Sequence, residues 1–360
     1  MMKWKTAITT LGLGMAGYKA LQHLSPNEAD LAGQVVLITG ASRGLGYLLA
    51  HEFAAAGCRL VICARHPQPL FEVEGELRRQ GADVLAVPCD VADQAQVQHL
   101  VDEATRHYGR IDIVVNNAGI IQAGPVEAMT LADFEQALDV MYWGILYTTW
   151  AVLPQMRRRG HGRIVTVTSI GGKVSVPHLL PYNSAKFAAI GLSQGLRAEL
   201  AGDGIRVTTI VPGLMRTGSH LQAQFKGNHA QEFTWFSLGA SLPLVSMDAR
   251  RAARQIVQAT RRGDTERVLS IPAQLLARWH GLFPGLTTEM LTLVNALLLP
   301  EATAGKTAVR TGEAVQAELA PWHARLLGLL TILGQRAARR NHQLNHASTT
   351  QAEARSTSTW

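Results

Sequence analysis

The chain has 360 residues, 47% of them hydrophobic, with 33 glycines and a formal charge of +7 from 34 basic and 27 acidic residues. That length suits one large domain with attachments or two smaller domains, and the apolar content can bury a sizeable core. The charge suits an anionic partner such as a phosphate-bearing cofactor or an acidic membrane surface; no Lys/Arg run with interleaved aromatics is present, which sets nucleic acid aside.

Residues 1–24, MMKWKTAITTLGLGMAGYKALQHL, join two early lysines to an apolar run from Thr6 to Tyr18. Thirteen residues fall short of the ~20 that a spanning helix needs. No A-x-A-like cleavage site follows, so the segment, counted here as 1–30, suits equally an interfacial membrane helix and a helix packed on the protein's own surface. Cys58, Cys63 and Cys89 are odd in number, lie in apolar stretches and lack a C-x-x-C or a nearby histidine cluster. They read as reduced and buried, in a cytoplasmic setting and with no metal site.

From Gln34 the pattern is regular. QVVLITG (34–40) is apolar and β-branched, RGLGYLLAHEFAAAGC (43–58) has helical spacing, and RLVICAR (59–65) is apolar again. Further strand-like runs are VLAVPCDV (84–91), IDIVVNNAG (111–119), GRIVTVTS (162–169) and IRVTTIVPG (205–213), with helical segments near 93–108, 131–157 and 182–201. Alternating strands and helices predict an α/β fold, a doubly wound parallel sheet that binds ligands at its strands' carboxyl ends. At the end of the first strand stands TGASRGLG, where Gly40, Gly44 and Gly46 open directly into a helix. Glycines there let the backbone turn tightly and approach a pyrophosphate, while the helix N-terminus supplies N–H donors and partial positive charge.

These motifs, with Asp90-Val91, NNAG (116–119), Ser169, YNSAK (182–186) and VPG (211–213) in that order, resemble the short-chain dehydrogenase/reductase family, in the branch with a single Rossmann-type domain. The likeness runs from about Gln34 to Arg267, and the domain is taken as 31–271. It implies Ser169, Tyr182 and Lys186 as the catalytic residues. Reducing a ketone needs a proton on oxygen as well as hydride on carbon, and a phenol can donate it. Lys186, one helical turn from Tyr182, is expected to favour the phenolate and, by the resemblance, to bond the nicotinamide ribose. Ser169 would polarise the substrate oxygen.

The resemblance also implies a nucleotide site built from Gly40, Ser42, Arg43, Gly44, Leu45, Gly46, Asp90, Val91, Asn116, Ala118, Gly119, Tyr182, Lys186, Pro212, Gly213 and Thr217. Asp90 would bind the adenine amino group. An acidic residue ending the second strand suits NAD, whereas this chain has Ala64 then Arg65, with Arg43 in the loop, so NADP(H) is expected over NAD(H).

One position departs from the family. In LDVMYWG (138–144), Met141 stands where most members carry an asparagine held to link the lysine to solvent through a water, and a thioether cannot replace its donors. Either protons reach Lys186 by another path or turnover is impaired. Residues 214–247 should form the lid, whose Leu214, Met215, Phe225, Phe233, Trp235, Phe236 and Leu238 suit an apolar pocket as well as ordinary packing or an oligomer face. Substrate contacts are expected from Ser169, Leu179, Tyr182 and Met215. Residues 272–300 and 321–340 look like apolar or amphipathic helices of a C-terminal extension (272–340) that covers the lid, a partner subunit or a membrane surface, and 341–360 read as a disordered tail.

Together these features lead to an NADP(H)-dependent oxidoreductase interconverting a carbonyl and an alcohol on an apolar small molecule, a homo-oligomer with peripheral membrane contact through either end. The rival is a weakly active or non-catalytic NADPH-binding scaffold, for which Met141 speaks and the intact Ser169, Tyr182 and Lys186 do not.

Overall fold

The structure, a computed structural model, describes residues 28–242, 245–300, 307–320, 327–328 and 331–343. The apolar stretch expected at 1–24 and part of the helical stretch expected at 321–340 lie outside the described residues.

The β-branched runs form seven strands: β1 Val35–Thr39, β2 Arg59–Ala64, β3 Val84–Pro88, β4 Ile113–Asn116, β5 Gly162–Val167, β6 Ile205–Val211 and β7 Glu266–Val268. They pair in the order β7-β6-β5-β4-β1-β2-β3, parallel throughout. All five residues of β1 are buried, as a strand covered on both faces requires. Order reverses between β1 and β4, which opens a crevice at their carboxyl ends.

Helices α1 Gly44–Ala55, α2 Pro67–Arg79, α3 Gln94–Tyr108, α4 Leu131–Leu138, α5 Gly144–Arg159, α6 Leu180–Glu199, α7 His229–Ser241 and α8 Ala249–Arg262 connect and cover the sheet and the lid. Local chemistry sets their ends. Asp93 caps α3 by accepting from the Ala95 and Gln96 N–H groups, and Gly109 ends it at φ 80°. Between β1, β2, β4 and their helices lies one apolar cluster containing Leu37, Val61, Val97, Leu100, Val114 and Val152. The cysteines are free and buried.

Two helical expectations are refined. The stretch 131–157 is not one helix: α4 and α5 are joined by a π-helical turn, Asp139–Trp143, that carries Met141. The backbone presses close there, since a Cβ on Gly144 would stand 2.9 Å from Val91 Cγ2. The stretch 272–300 is two helices, α9 Ile271–Leu282 and α10 Pro284–Leu298, bent by 119° at Phe283.

Beyond them, Arg310–Thr311 pairs with Gln224–Phe225 in the lid, followed by α11 Gly312–Glu318 and α12 Ile332–Arg340. Helix α12 sits on the lid where glycines permit it: a side chain on Gly218 (φ 86°) would strike Ala338, and one on Gly334 would strike Ser241. Of the tail expected to be disordered from 341, residues 341–343 are placed against the glycine loop, with Asn341 3% and Gln343 5% exposed, because their polar groups find partners there. Residues 344–360 lie outside the described residues.

Candidate active site

The glycine loop is held from below by β4. Thr39 Oγ1 accepts from the backbone N–H groups of Asn117 (2.9 Å) and Ala118 (3.0 Å), while Asn117 Nδ2 donates to the carbonyls of Thr39 (2.9 Å) and Gly40 (3.2 Å). Gly40 has φ 67°, and a Cβ there would lie 2.9 Å from Ala118 Cα; a Cβ on Gly46 would strike the Gly40 carbonyl. The cradle therefore needs glycine at both positions. Thr39 and Asn117 were not singled out from sequence. The available signals were a hydroxyl ending an apolar strand and the second asparagine of NNAG.

Asn116 faces away from the loop. Its Oδ1 accepts from Thr148 Oγ1 at 2.5 Å, which ties β4 to α5. Ser42 and Leu45 are buried in the loop and α1, and Val91 packs on Gly144. Arg43 and Arg65 lie near each other: burial, then the charge of Arg65, pulls the Arg43 guanidinium below its usual range. Arg43 Nη1 donates to Gln222 Oε1 at 2.7 Å, and Arg65 is exposed. Burial, Arg65 and Arg43 lower the nearby His66, with Asp90 opposing them. A cationic edge thus flanks the ends of β2 and β3.

The residues of YNSAK and Ser169 come together at the ends of β5 and α6. Ser169 Oγ accepts from Gly171 N–H at 3.0 Å, which leaves its proton to donate. Burial pushes the Tyr182 phenol above its ordinary value, and a hydrogen bond with Ser169 works against that rise. Gly171 makes the meeting possible, since a Cβ there would lie 3.2 Å from Tyr182 Cε1 and 3.5 Å from Ser169 Oγ. Lys186 is 4% exposed, donates to the Val167 carbonyl at 3.0 Å and has its Nζ 5.8 Å from the Tyr182 ring centre. Burial lowers its pKa to about 8. The hydrogen bond that offsets the rise in Tyr182 thus comes from Ser169, where sequence reasoning assigned the tuning to Lys186. Met141 is fully buried and packs with Ala137, Ala185 and Tyr182, an apolar setting with no amide.

Leu179 is the N-cap of α6 and belongs to the lid cluster with Leu221, Phe225, Phe233 and Phe236, against which Tyr182 and Trp235 pack. Met215 pairs with Met247 within the lid. The Pro212 carbonyl accepts from Ile170 N–H at 2.7 Å, Gly213 leaves room for Ser270, and Thr217 Oγ1 accepts from Ser219 N–H at 3.1 Å.

Sequence also gave no signal for His178. It is buried at φ 62°, its ring bonds Glu232 Oε1 at 2.7 Å, and its carbonyl accepts from Gly124 N–H. Trp235 Nε1 donates to the other Glu232 oxygen at 2.6 Å. Lid helix α7 is thereby tied to the residue before Leu179, at the start of the helix bearing Tyr182. A separate recess, lined by Gln34, Arg110, Asp112, His161, Arg163 and Arg206, lies at the amino ends of the strands, away from these groups.

Residues 34–226 match the short chain dehydrogenase family. The chain is 39% identical over 202 residues to "Dehydrogenase/reductase SDR family protein 7-like" of Anopheles gambiae, covering 55% of this chain and 64% of that protein. It is 38% identical over 194 residues to "17-beta-hydroxysteroid dehydrogenase 13" of Mus musculus, covering 52% and 63%. Each match thus spans less than two thirds of the relative's length. Among solved structures, a gluconate 5-dehydrogenase from Burkholderia cenocepacia J2315 in complex with NADP and tartrate is 28% identical, covers 70% of this chain and 98% of its own, and superposes with a TM-score of 0.60. With the match extending over more than half its residues, the chain belongs to the short-chain dehydrogenase/reductase family of oxidoreductases.

Proposed function

We propose that the protein is an NADP(H)-dependent oxidoreductase that interconverts a ketone or aldehyde and an alcohol on a largely apolar substrate. The observation that carries this reading is the half-buried Tyr182, packed against the apolar lid cluster with Ser169 beside it, where Gly171 lies between the Tyr182 ring and Ser169 Oγ. Burial keeps the phenol protonated at neutral pH, the form a proton donor to a carbonyl oxygen needs. Ser169, its oxygen already accepting from Gly171, orients its own proton toward the same place. Lys186 holds a positive charge under the site at a pKa close to the working pH.

The cofactor reading rests on the fit of the loop. Gly40 and Gly46 leave no room for side chains, α1 begins at Gly44, and Arg43 with Arg65 offers two guanidiniums to a 2′-phosphate where an NAD-preferring chain would offer a carboxylate. When bound, the nicotinamide supplies or takes up the hydride. The solved structure with NADP supports the cofactor reading, and the hydroxysteroid dehydrogenase relative the apolar-substrate reading. Titration with NADPH and NADH, followed by turnover on a panel of apolar ketones and alcohols, tests the reading. Tighter NADPH binding with turnover supports it; binding without turnover across the panel favours the scaffold alternative.

Contact with a membrane surface is part of the proposal, on a specific observation. Helices α9 and α10 expose Ile271, Leu275, Leu282, Leu286, Leu293 and Leu297, each more than half exposed. At 12 and 15 residues neither reaches the ~20 needed to span a bilayer, and among the described residues no single helix is long and apolar enough to do so. A bent pair with apolar flanks suits lying in the interface. Exposed Leu131, Trp143, Trp150 and Phe187 on the α4 to α6 side suit a second copy of the chain.

A further inference from the structure

We propose that residues 341–343 are an internal occupant of the cofactor's pyrophosphate cradle, so that the dinucleotide binds only as this segment leaves. This rests on the cofactor reading above. The first N–H groups of a helix have no partner within it, and in a glycine-rich loop they are the donors offered to phosphate. Here the first of them is taken: Gly44 N–H donates to the Asn341 carbonyl at 2.7 Å. The space that glycine keeps open over this turn is filled as well, since a Cβ on Gly44 would strike Gln343 Nε2.

The segment has further partners beside the loop. Asn341 Nδ2 donates to the Thr217 carbonyl at 3.2 Å, and Gln222 Nε2 donates to the Gln343 carbonyl at 2.7 Å. Gln222 also holds Arg43, so the residue that binds the tail is the one that engages a guanidinium expected to meet the 2′-phosphate. Between them the His342 ring lies 4.6 Å from the Tyr47 ring, with Nε2 3.3 Å from Glu76 Oε2. Among the described residues Gln343 Oε1 is buried without a partner. A side chain that forgoes a hydrogen bond while filling the space over Gly44 is held by its neighbours, and the departure of that amide loses little. The Asn341 carbonyl gives the Gly44 N–H an acceptor of the right kind but without the charge of a diphosphate. The segment therefore occupies the cradle more weakly than an anion favoured by the helix N-terminus.

Apparent cofactor affinity falls by the fraction of molecules whose site is open, so a segment docked nine times in ten weakens binding about tenfold. The test compares NADPH dissociation constants for the full chain, Gln343→Ala, Gln343→Glu and a chain ending after Arg340, each checked for an unchanged thermal transition. Deletion should tighten binding about tenfold, Gln343→Ala should tighten it less, and Gln343→Glu should weaken it, because a carboxylate suits the helix N-terminus better than an amide. Hydrogen exchange on the unaltered chain gives a second readout. The Asn341 and Gln343 amides, bonded to the carbonyls of Ala337 and Ala338, should exchange faster in saturating NADPH. Weaker NADPH binding on deletion, or slower exchange with NADPH, would make the segment a clamp over the cofactor and overturn the proposal, as would an unchanged affinity. Failure of every form to bind NADPH would remove the cofactor reading itself and the proposal with it.

Discussion

Met141 and Lys186 meet beside the same glycine: a Cβ on Gly119 would lie 3.5 Å from Met141 Sδ and 3.7 Å from Lys186 Nζ. The thioether thus shares this glycine with the Lys186 amine, from a π-helical turn, at the position where the family resemblance implies an amide. If proton resupply is slow for that reason, the solvent deuterium isotope effect on turnover should exceed that from deuterated NADPH. Met141→Asn should raise turnover several-fold and reverse the order, at a cost of about 1–3 kcal/mol in stability if the new amide goes unpaired. A dominant hydride isotope effect in the unaltered protein, with no gain in the variant, would reject the damaged relay.

On the proposed reading, Arg65 and Arg43 carry the cofactor preference. NADPH should bind more tightly than NADH by ~1.5–3 kcal/mol, the range of hydrogen bonds to charged groups. Ala64→Asp combined with Arg65→Ala should reverse the preference by setting a carboxylate against the 2′-phosphate. Equal affinities in the unaltered protein would dismiss the assignment.

Lys186 links the site to stability. Its pKa falls from the ordinary 10.5 to about 8 in the folded protein, so between those values the unfolded chain holds more protons than the folded one. Stability from this group therefore rises as pH climbs from about 8 toward 10.5, and the penalty for burying the ammonium is fully present below 8. Any thermal-stability advantage of Lys186→Met should shrink across that window, whereas cofactor affinity should be reduced by the substitution. A stability difference that stays flat through the window would contradict the depressed pKa.

The exposed faces of α9 and α10 can be separated from the rest. Leu275→Glu with Leu293→Glu changes residues 61% and 59% exposed, so folding should be unaffected while flotation with phospholipid vesicles falls severalfold. Unchanged flotation would move any membrane contact elsewhere in the chain.

Much of the fold was legible because the strands of a sheet covered on both faces read as continuous β-branched runs, as in Val35–Thr39 and Ile205–Val211. The motifs of the glycine loop and Ser169 follow strands and that of Tyr182 opens α6, so their places in the fold could be read from the sequence. What escaped was long-range. Thr39 is tied to Asn117 across 78 residues, and His178 to Glu232 across 54, with no local pattern to mark either. The one-turn spacing of Tyr182 and Lys186 gave their shared face but not the destination of a four-carbon side chain, which runs to the Val167 carbonyl. Residues 341–343 read as disordered because they bring little apolar surface, yet they find backbone and side-chain partners in the glycine loop, its helices and the lid.

The most direct measurement of the central claim is NADPH oxidation by the unaltered protein and by Tyr182→Phe with the best ketone of an apolar panel, alongside NADPH binding by each. Removing only the hydroxyl should cut turnover by about a hundredfold to ten-thousandfold, the usual worth of a positioned acid, with NADPH affinity nearly unchanged. Turnover at the unaltered level in Tyr182→Phe would contradict the assignment of Tyr182 as proton donor.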